Sequence, residues 1–547
     1  MTEQNLPLNT ITKKEHSRTK RRDGKLCDII KGILLGIMFS LRFYFDLLID
    51  KIFGFFYGSK KQSVCSANNP LLLDSASTIA AKIRKREVKV EEVVKTFVQR
   101  IREVNSTLNA VVHDRFQEAI EEAKKIDKEI EIGDITDLDF KEKPFLGVPF
   151  TSKESTAAEG MSYTFGIFAR KGKKATEDSE IVRLMKKAGG ILLGVTNVPQ
   201  LNMWQETGNP IFGVTNNPYN ISRNVGGSSG GEGSILAAGG SPLGLGTDIG
   251  GSLRIPAFMC GIFGHKPTCD LINTRGMTFR TGKEKDTMVV PGPMTRYAED
   301  IIPLLKVLTD ENASKLKLDK HVDLKDITIY YIDDPQDPFI SMIRDEMKES
   351  FKRVIDYFDE VLPTKSQKVE FAGTRYGGKL WRYWMTQEPN ANFVRDLTDR
   401  ETELNPVVEI LKYAFMSRNF SLSTIFNMVN KLLPQEKANW AIEETKKLRK
   451  QILDKLGDNG VLLYHSAPWP ASYHYTAFFR PWNFNLFSIW NALKLPVTQI
   501  PLGLSSEGLP LGIQAVTSPY NDRLTIAVAK HLEKQFGGYI PPFTLET

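Results

Sequence analysis

Residues 226–234 read Gly-Gly-Ser-Ser-Gly-Gly-Glu-Gly-Ser, and residues 246–254 read Gly-Thr-Asp-Ile-Gly-Gly-Ser-Leu-Arg. Glycine at this density sacrifices chain entropy, so it persists where backbone must take a positive φ or approach a ligand closely. Successive N–H groups in such a turn point at one spot and can hold an oxyanion. A flexible linker would stay polar, yet Ile235-Leu236-Ala237-Ala238 and Leu243-Gly244-Leu245 return at once to buried-type sequence. A phosphate loop would need Lys followed by Ser or Thr after its glycines, and neither segment has it.

Two readings of the serines stay open on the residues alone. Gly227-Ser228-Ser229-Gly230-Gly231 satisfies the G-x-S-x-G elbow, which would make Ser229 a nucleophile. An elbow follows a strand, however, and Asn217-Pro218-Tyr219-Asn220 with Arg223-Asn224 reads as turn. His113, His265, His321, His465, His474 and His531 are scattered singly, with no metal spacing among them. Lys153 ends the apolar run Phe145-Leu146-Gly147-Val148-Pro149-Phe150. Burial there would favour its neutral amine, which can take a proton; a strand-end lysine that reaches water is the plainer alternative.

Around these segments the chain alternates. Helical spacing covers 88–104, 115–129, 181–187, 343–358, 440–456 and 521–536, while 145–151, 191–196, 328–332 and 461–464 are short apolar runs of strand type. This pattern predicts an α/β fold: a mixed, largely parallel central sheet covered by helices on both faces. With 547 residues, 41% hydrophobic and 25% charged, the chain is globular and has ample material for a core. Its four cysteines form no C-x-x-C pair and are too sparse for a disulfide scaffold.

The N-terminus reads differently. Residues 1–26 form a basic tail carrying more than half of the formal net charge of +7, which argues against a nucleic-acid stripe on the body. Residues 27–57 are the most apolar stretch and predict a membrane anchor helix. On a helical wheel Asp28, Lys31, Arg42, Asp46 and Asp50 share an arc of about 100°. That suits a monotopic helix with its charges among headgroups, or a tilted single span in which Arg42 and Asp46 neutralise each other. Residues 58–70 read as a polar linker, and 71–547 as the catalytic domain.

FLGVPFTSKES, GGSSGGEG and GTDIGGSLRIPA together resemble the amidase signature family, in this order and with spacings that suit it. The resemblance runs from about Leu71 to the C-terminus. It implies the amidase signature fold and a Ser-cisSer-Lys triad: Ser252 as nucleophile, Ser228 as the bridging serine after a cis peptide, and Lys153 as base. The N–H groups of Ile249, Gly250, Gly251 and Ser252 would form the oxyanion hole, with Ser229 and Arg254 in support. No metal or organic cofactor is implied.

With the anchor, the resemblance further implies a membrane-associated serine amidase acting on long-chain fatty-acid amides and N-acylethanolamines. The bilayer and a lipid amide are then its partners, nucleic acid is not, a homodimer is allowed, and the endoplasmic reticulum or another endomembrane is the expected location. Because every triad residue lies beyond the linker, deleting residues 1–58 is expected to release most of the protein from membranes while hydrolysis of short, soluble amides survives. An A-type component of a glutaminyl-tRNA amidotransferase and a catalytically dead membrane interaction protein are the competing readings.

Overall fold

Val90, Val93, Val94, Phe97, Val98, Ile101, Val104 and Leu108 recur at helical spacing and are all buried, which makes Val90–Leu108 (α1) an amphipathic helix. Asp127 caps its first turn from outside, accepting from the N–H groups of Val90 and Glu91 at 2.8 Å, and Asn109 ends it in the left-handed conformation. The rest of the chain follows in the computed structural model, which describes residues 36, 38–58, 61–279, 287–415 and 419–546.

In chain order the elements that matter here are β1 (Val111–Asp114), α2 (Phe116–Glu131), β2 (Pro149–Lys153), α3 (Glu180–Lys187), β3 (Ile191–Thr196), α4 (Gly230–Ala237), β4 (Leu243–Asp248), α5 (Arg254–Met259), β5 (Phe263–Lys266) and β6 (Val290–Thr295). There follow β7 (Thr328–Tyr331), α6 (Asp345–Val361), β8 (Gln367–Lys368), α7 (Gly377–Met385), α8 (Pro406–Ala414), α9 (Leu422–Lys431) and α10 (Ala438–Leu456). The chain closes with β9 (Gly460–His465), α11 (Asn485–Ala492), β10 (Val497–Leu504), β11 (Pro510–Thr517) and α12 (Asp522–Phe536).

Eleven strands form one mixed sheet in the order β1-β3-β2-β4-β6-β5-β10-β11-β9-β7-β8. Parallel pairing joins β3, β2 and β4 on one flank and β9, β7 and β8 on the other, while the strands between β4 and β9 pair antiparallel. Helices pack along the sheet, and α4 lies over β2, β3 and β4. That contact delivers the first glycine-serine segment to the C-terminal ends of the parallel strands, where open α/β sheets place their sites. Glycine makes the approach feasible: a Cβ on Gly231 would stand 2.8 Å from the Asn197 carbonyl oxygen and 2.8 Å from Thr196 Cβ.

The N-terminal helix covers 38–57, and its charges face the opposite way to the sequence expectation. Asp46 is 3% exposed and Arg42 reaches it at 3.4 Å, as the i, i+4 spacing implies. Both carboxylates of the arc that lie in the described helix dock on the body: Arg480 holds Asp46 at 3.1 Å and Asp50 at 2.7 Å, and Arg344 pairs with Asp50. The charged face is therefore a docking face, and Leu41, Tyr44, Leu48, Phe55 and Phe56 are turned to the outside. No helix among the described residues is long and apolar enough to cross a membrane, so the single-span form of the anchor finds no support there. The basic tail 1–26 and residues 27–35 and 37 of the anchor lie outside the described residues. In the expected linker, Val64 and Ala67 are buried, and Val64 donates to the Pro218 carbonyl at 3.0 Å.

A methyl group at position 231 would push α4 off β3. Gly231→Ala should lower stability by roughly 1–3 kcal/mol through overpacking, read as an earlier denaturant midpoint at unchanged slope.

Candidate active site

Lys153 is the last residue of β2 and is fully buried. Its Nζ lies 2.7 Å from Ser228 Oγ and 2.9 Å from Thr247 Oγ1. Burial pushes the amine down from 10.5 to about 7, against the pull of Asp248 and Glu232. At a pH of about 7.5 most of it is then neutral, whereas an ordinary lysine would be neutral in about one molecule per thousand. The water-reaching alternative is excluded for this residue.

The second carboxyl near Lys153 is Glu232 on α4, fully buried and held by the Thr151 and Thr196 hydroxyls at 2.8 and 2.9 Å. Burial raises it to about 8, so at neutral pH it is largely uncharged and leaves the lysine free to lose its proton. One signal in the sequence marks this residue: it is the lone acidic side chain inside an otherwise apolar, glycine-rich segment.

Ser228 follows a cis Gly227–Ser228 peptide, and Ser229, which follows it, stands immediately before α4 at the end of a bend rather than of a strand. Ser229 Oγ lies 3.4 Å from both the N–H and the carbonyl oxygen of Thr247, so it bridges the two glycine-serine segments. Its own N–H donates to the Ser252 carbonyl at 2.9 Å. The elbow reading of Ser229 thus lacks its strand. Among the described residues the nearest candidates for a histidine base are engaged elsewhere; His265, for one, faces Thr498 and Asp522.

The loop from Asp248 to Ser252 is fixed by a buried ion pair. Arg254 and Asp248 are both inaccessible, with Nε to Oδ2 at 2.9 Å. Asp248 accepts further bonds from Gly251 N–H (2.7 Å) and Asn491 Nδ2 (2.8 Å). Burial works against its carboxylate, but Arg254, Lys266 and Asn491 outweigh burial and hold it below the usual range. Arg254 also donates to Gln514 (2.6 Å), Asn491 (2.8 Å) and the Phe487 carbonyl (3.0 Å), tying the loop to β11 and α11. On the far side Trp381 of α7 donates its indole N–H to the Ile249 carbonyl at 2.8 Å.

Ser252 is 7% exposed and opens onto a cavity of about 440 Å³. Gly227, Ile249, Gly250 and Ser252 form its reactive end, and Trp204, Trp381, Met385, Phe426, Trp482 and Phe484 supply apolar walls. Lys153, Ser228, Ser252, the Ile249–Ser252 loop, Ser229 and Arg254 are therefore gathered in one place. Glu232, Thr247, Asp248, Asn491 and Trp381 join them without having been singled out from the sequence; the last two come from segments with no local motif.

Removing one member of a fully buried ion pair leaves the other uncompensated, which costs about 3–5 kcal/mol. Asp248→Asn should therefore lower the melting temperature strongly and Arg254→Met similarly, whereas Lys352→Ala, at an exposed i, i+4 pair with Asp356, should change stability by less than about 1 kcal/mol.

The Amidase family model matches residues 92–526. Fatty-acid amide hydrolase 2 of Homo sapiens is 41% identical over 488 residues, covering 86% of this chain and 91% of that protein. The A component of the glutamyl-tRNA(Gln) amidotransferase of Methylacidiphilum infernorum (isolate V4) is 26% identical over 487 residues, covering 84% and 93%. Among solved structures, a fatty acid amide hydrolase superposes with a TM-score of 0.69 at 20% identity, covering 86% of each chain. With a family model matching residues 92–526 and a relative 41% identical over most of its length, the chain belongs to the amidase signature family and is an amide hydrolase.

Proposed function

We propose that this chain is a membrane-associated serine amidase that hydrolyses long-chain fatty-acid amides and N-acylethanolamines. The observation that carries the reading is a buried, largely neutral Lys153 against Ser228, at the closed end of an aromatic-walled cavity that Ser252 faces. Neutral Lys153 takes the Ser228 proton as Ser228 takes that of Ser252, and Ser252 Oγ attacks the amide carbonyl. Gly251 commits its N–H to Asp248, which leaves the oxyanion to Ile249, Gly250 and Ser252. The proton returns through Ser228 to the leaving amine, and water then releases the fatty acid from Ser252.

Two apolar surfaces support the membrane part. The outer face of the N-terminal helix exposes Phe55 and Phe56, and α8, α9 and their flanks expose Val407, Val408, Leu411, Phe415, Leu422 and Val429. The turn at Phe478 and Phe479 links the two elements: Phe478 touches Phe426 of α9, while Phe479 touches Phe45 and Phe53 of the N-terminal helix. Exposed apolar surface of this kind marks an interaction site. Our reading is a monotopic arrangement on an internal membrane, the endoplasmic reticulum first; the apolar faces support its monotopic part, and because α9 also lines the cavity a lipid amide would enter beside it. The 41% identity to a fatty-acid amide hydrolase, against 26% to an amidotransferase component, favours lipid amides over transamidation.

Fluorophosphonate labelling with oleamide and anandamide hydrolysis tests the reading. Ser252→Ala should abolish labelling and turnover, and Ser229→Ala should retain labelling; capture of the probe by Ser229 alone would overturn the assignment. Lys153→Ala should lower turnover by about 10²–10⁴-fold. In the wild type, the rate should rise as pH passes upward through about 7, because only deprotonated Lys153 acts as base; a rate independent of pH between about 6 and about 9 would remove Lys153 from that role.

Topology can be read at one sequon. Asn105 and Asn312 commit their side-chain amides to backbone carbonyls and Asn220 is 6% exposed, whereas Asn419 is exposed. An endoglycosidase-sensitive mass shift lost in Asn419→Gln would place the body in a lumen. Its absence from protein made in microsomes is the outcome expected for a monotopic enzyme facing the cytoplasm.

A further inference from the structure

Arg480 is 2% exposed and lies at the end of a short helical turn, Thr476–Phe479. Its guanidinium is enclosed by the N-terminal helix. Nε reaches Asp46 Oδ1 at 3.1 Å, Nη2 reaches the Asp46 carbonyl at 2.6 Å and Asp50 Oδ1 at 2.7 Å, and the group stacks over Trp469 at 4.2 Å. The backbone of the same residue belongs to the cavity. Gln205, a lining residue, donates to the carbonyls of Arg480 (3.4 Å) and Pro481 (3.2 Å), and Pro481, Trp482 and Phe484 form the wall that follows.

Two further links run from helix to wall. Arg42 donates to Ser341 at 3.4 Å, and the Ser341 N–H donates to Asn483 at 2.9 Å. Phe479 packs on Phe45 and Phe53, while its neighbour Phe478 stacks on the cavity residue Trp204 with ring centroids 4.8 Å apart. Phe484 in turn meets Trp381 edge-on at 4.9 Å, and Trp381 holds the Ile249 carbonyl. The segment 476–484 is thus clasped between the N-terminal helix and the substrate space.

We propose that Asp46 and Asp50 are positioning residues for substrate binding: by fixing Arg480 they hold the 478–484 wall, so the N-terminal helix tunes the fit of long acyl chains as well as carrying an apolar outer face. This rests on the fatty-acyl reading of the cavity. It is compatible with the expectation that short, soluble amides are still hydrolysed without residues 1–58, and adds a role of the helix for long chains. A buried guanidinium that loses both carboxylates must move toward water, and the backbone that shapes the cavity moves with it.

The test uses the full chain in detergent micelles, where recruitment to a bilayer does not limit the rate, with the 4-nitroanilides of butyric and oleic acid as substrates that share one leaving group. Asp46→Asn with Asp50→Asn should raise KM for the oleoyl substrate about tenfold, leaving the butyryl KM and the fluorophosphonate labelling rate within about twofold. Asp46→Glu, which keeps a carboxylate for Arg480, should stay within about twofold for both substrates. If the double variant melts early, Asp50→Asn alone carries the test, since Asp46 remains on Arg480. Equal KM changes for both substrates, or none for the oleoyl one, overturn the proposal. A wild type that labels at Ser252 yet shows no preference for the oleoyl over the butyryl chain would instead overturn the fatty-acyl reading, and this proposal with it.

Discussion

The ion pair between Asp248 and Arg254 is the constraint on which the site depends. Neither side chain touches water, so their charges are balanced only by each other and by the bonds around them. That balance draws four parts of the chain together: the end of β4, the loop to Ser252, Gln514 on β11 and Asn491 on α11. Ser252 and the backbone N–H groups proposed to hold an oxyanion, on a glycine-rich loop, would otherwise be poorly fixed. The pair converts a flexible sequence into a rigid one, which electrostatic stabilisation of a developing oxyanion requires.

Around Lys153 the balance is of another kind. An amine buried without a carboxylate partner is driven neutral by desolvation, and an ionised Glu232 nearby would undo this. Glu232 is itself driven neutral by burial among the Thr151 and Thr196 hydroxyls. Two groups that would be oppositely charged in water are thus uncharged together. The arrangement gives a lysine fit to accept a proton near neutrality, with no histidine involved.

Much of this is legible in the sequence because it is local. The helices near 90–108 and 438–456 follow from apolar periodicity, and the two glycine-serine segments mark the site by composition alone. Other elements follow from contacts far along the chain. The run from Phe145 begins as a turn at Gly147, whose φ is +79°, so β2 starts only at Pro149. β6 contains Pro291 and Pro293, which deny it ladder donors and hide it from any strand pattern; it is accommodated because β5 pairs only with its last residues, Met294 and Thr295. The described part of the N-terminal arc, Arg42, Asp46 and Asp50, does lie on one face of a helix, as its periodicity predicts, but that face meets protein instead of headgroups. Its partner, Arg480, lies 434 residues away and has no local signature.

Part of the cavity wall comes from a stretch separate from the rest of the site. Lys153 through Arg254 supplies the groups proposed to react, together with Trp204 of the wall, and Pro481, Trp482 and Phe484 follow β9, whereas Gly378, Trp381, Met385, Phe426 and Asn430 lie between β8 and β9, a stretch whose described residues add no strand to the main sheet. That part of the wall is therefore a cassette. It can be exchanged for one of another shape while the sheet, the lysine and the serine loop keep their register, so long as Trp381 and its hydrogen bond to the Ile249 carbonyl are retained as the splice point between the two.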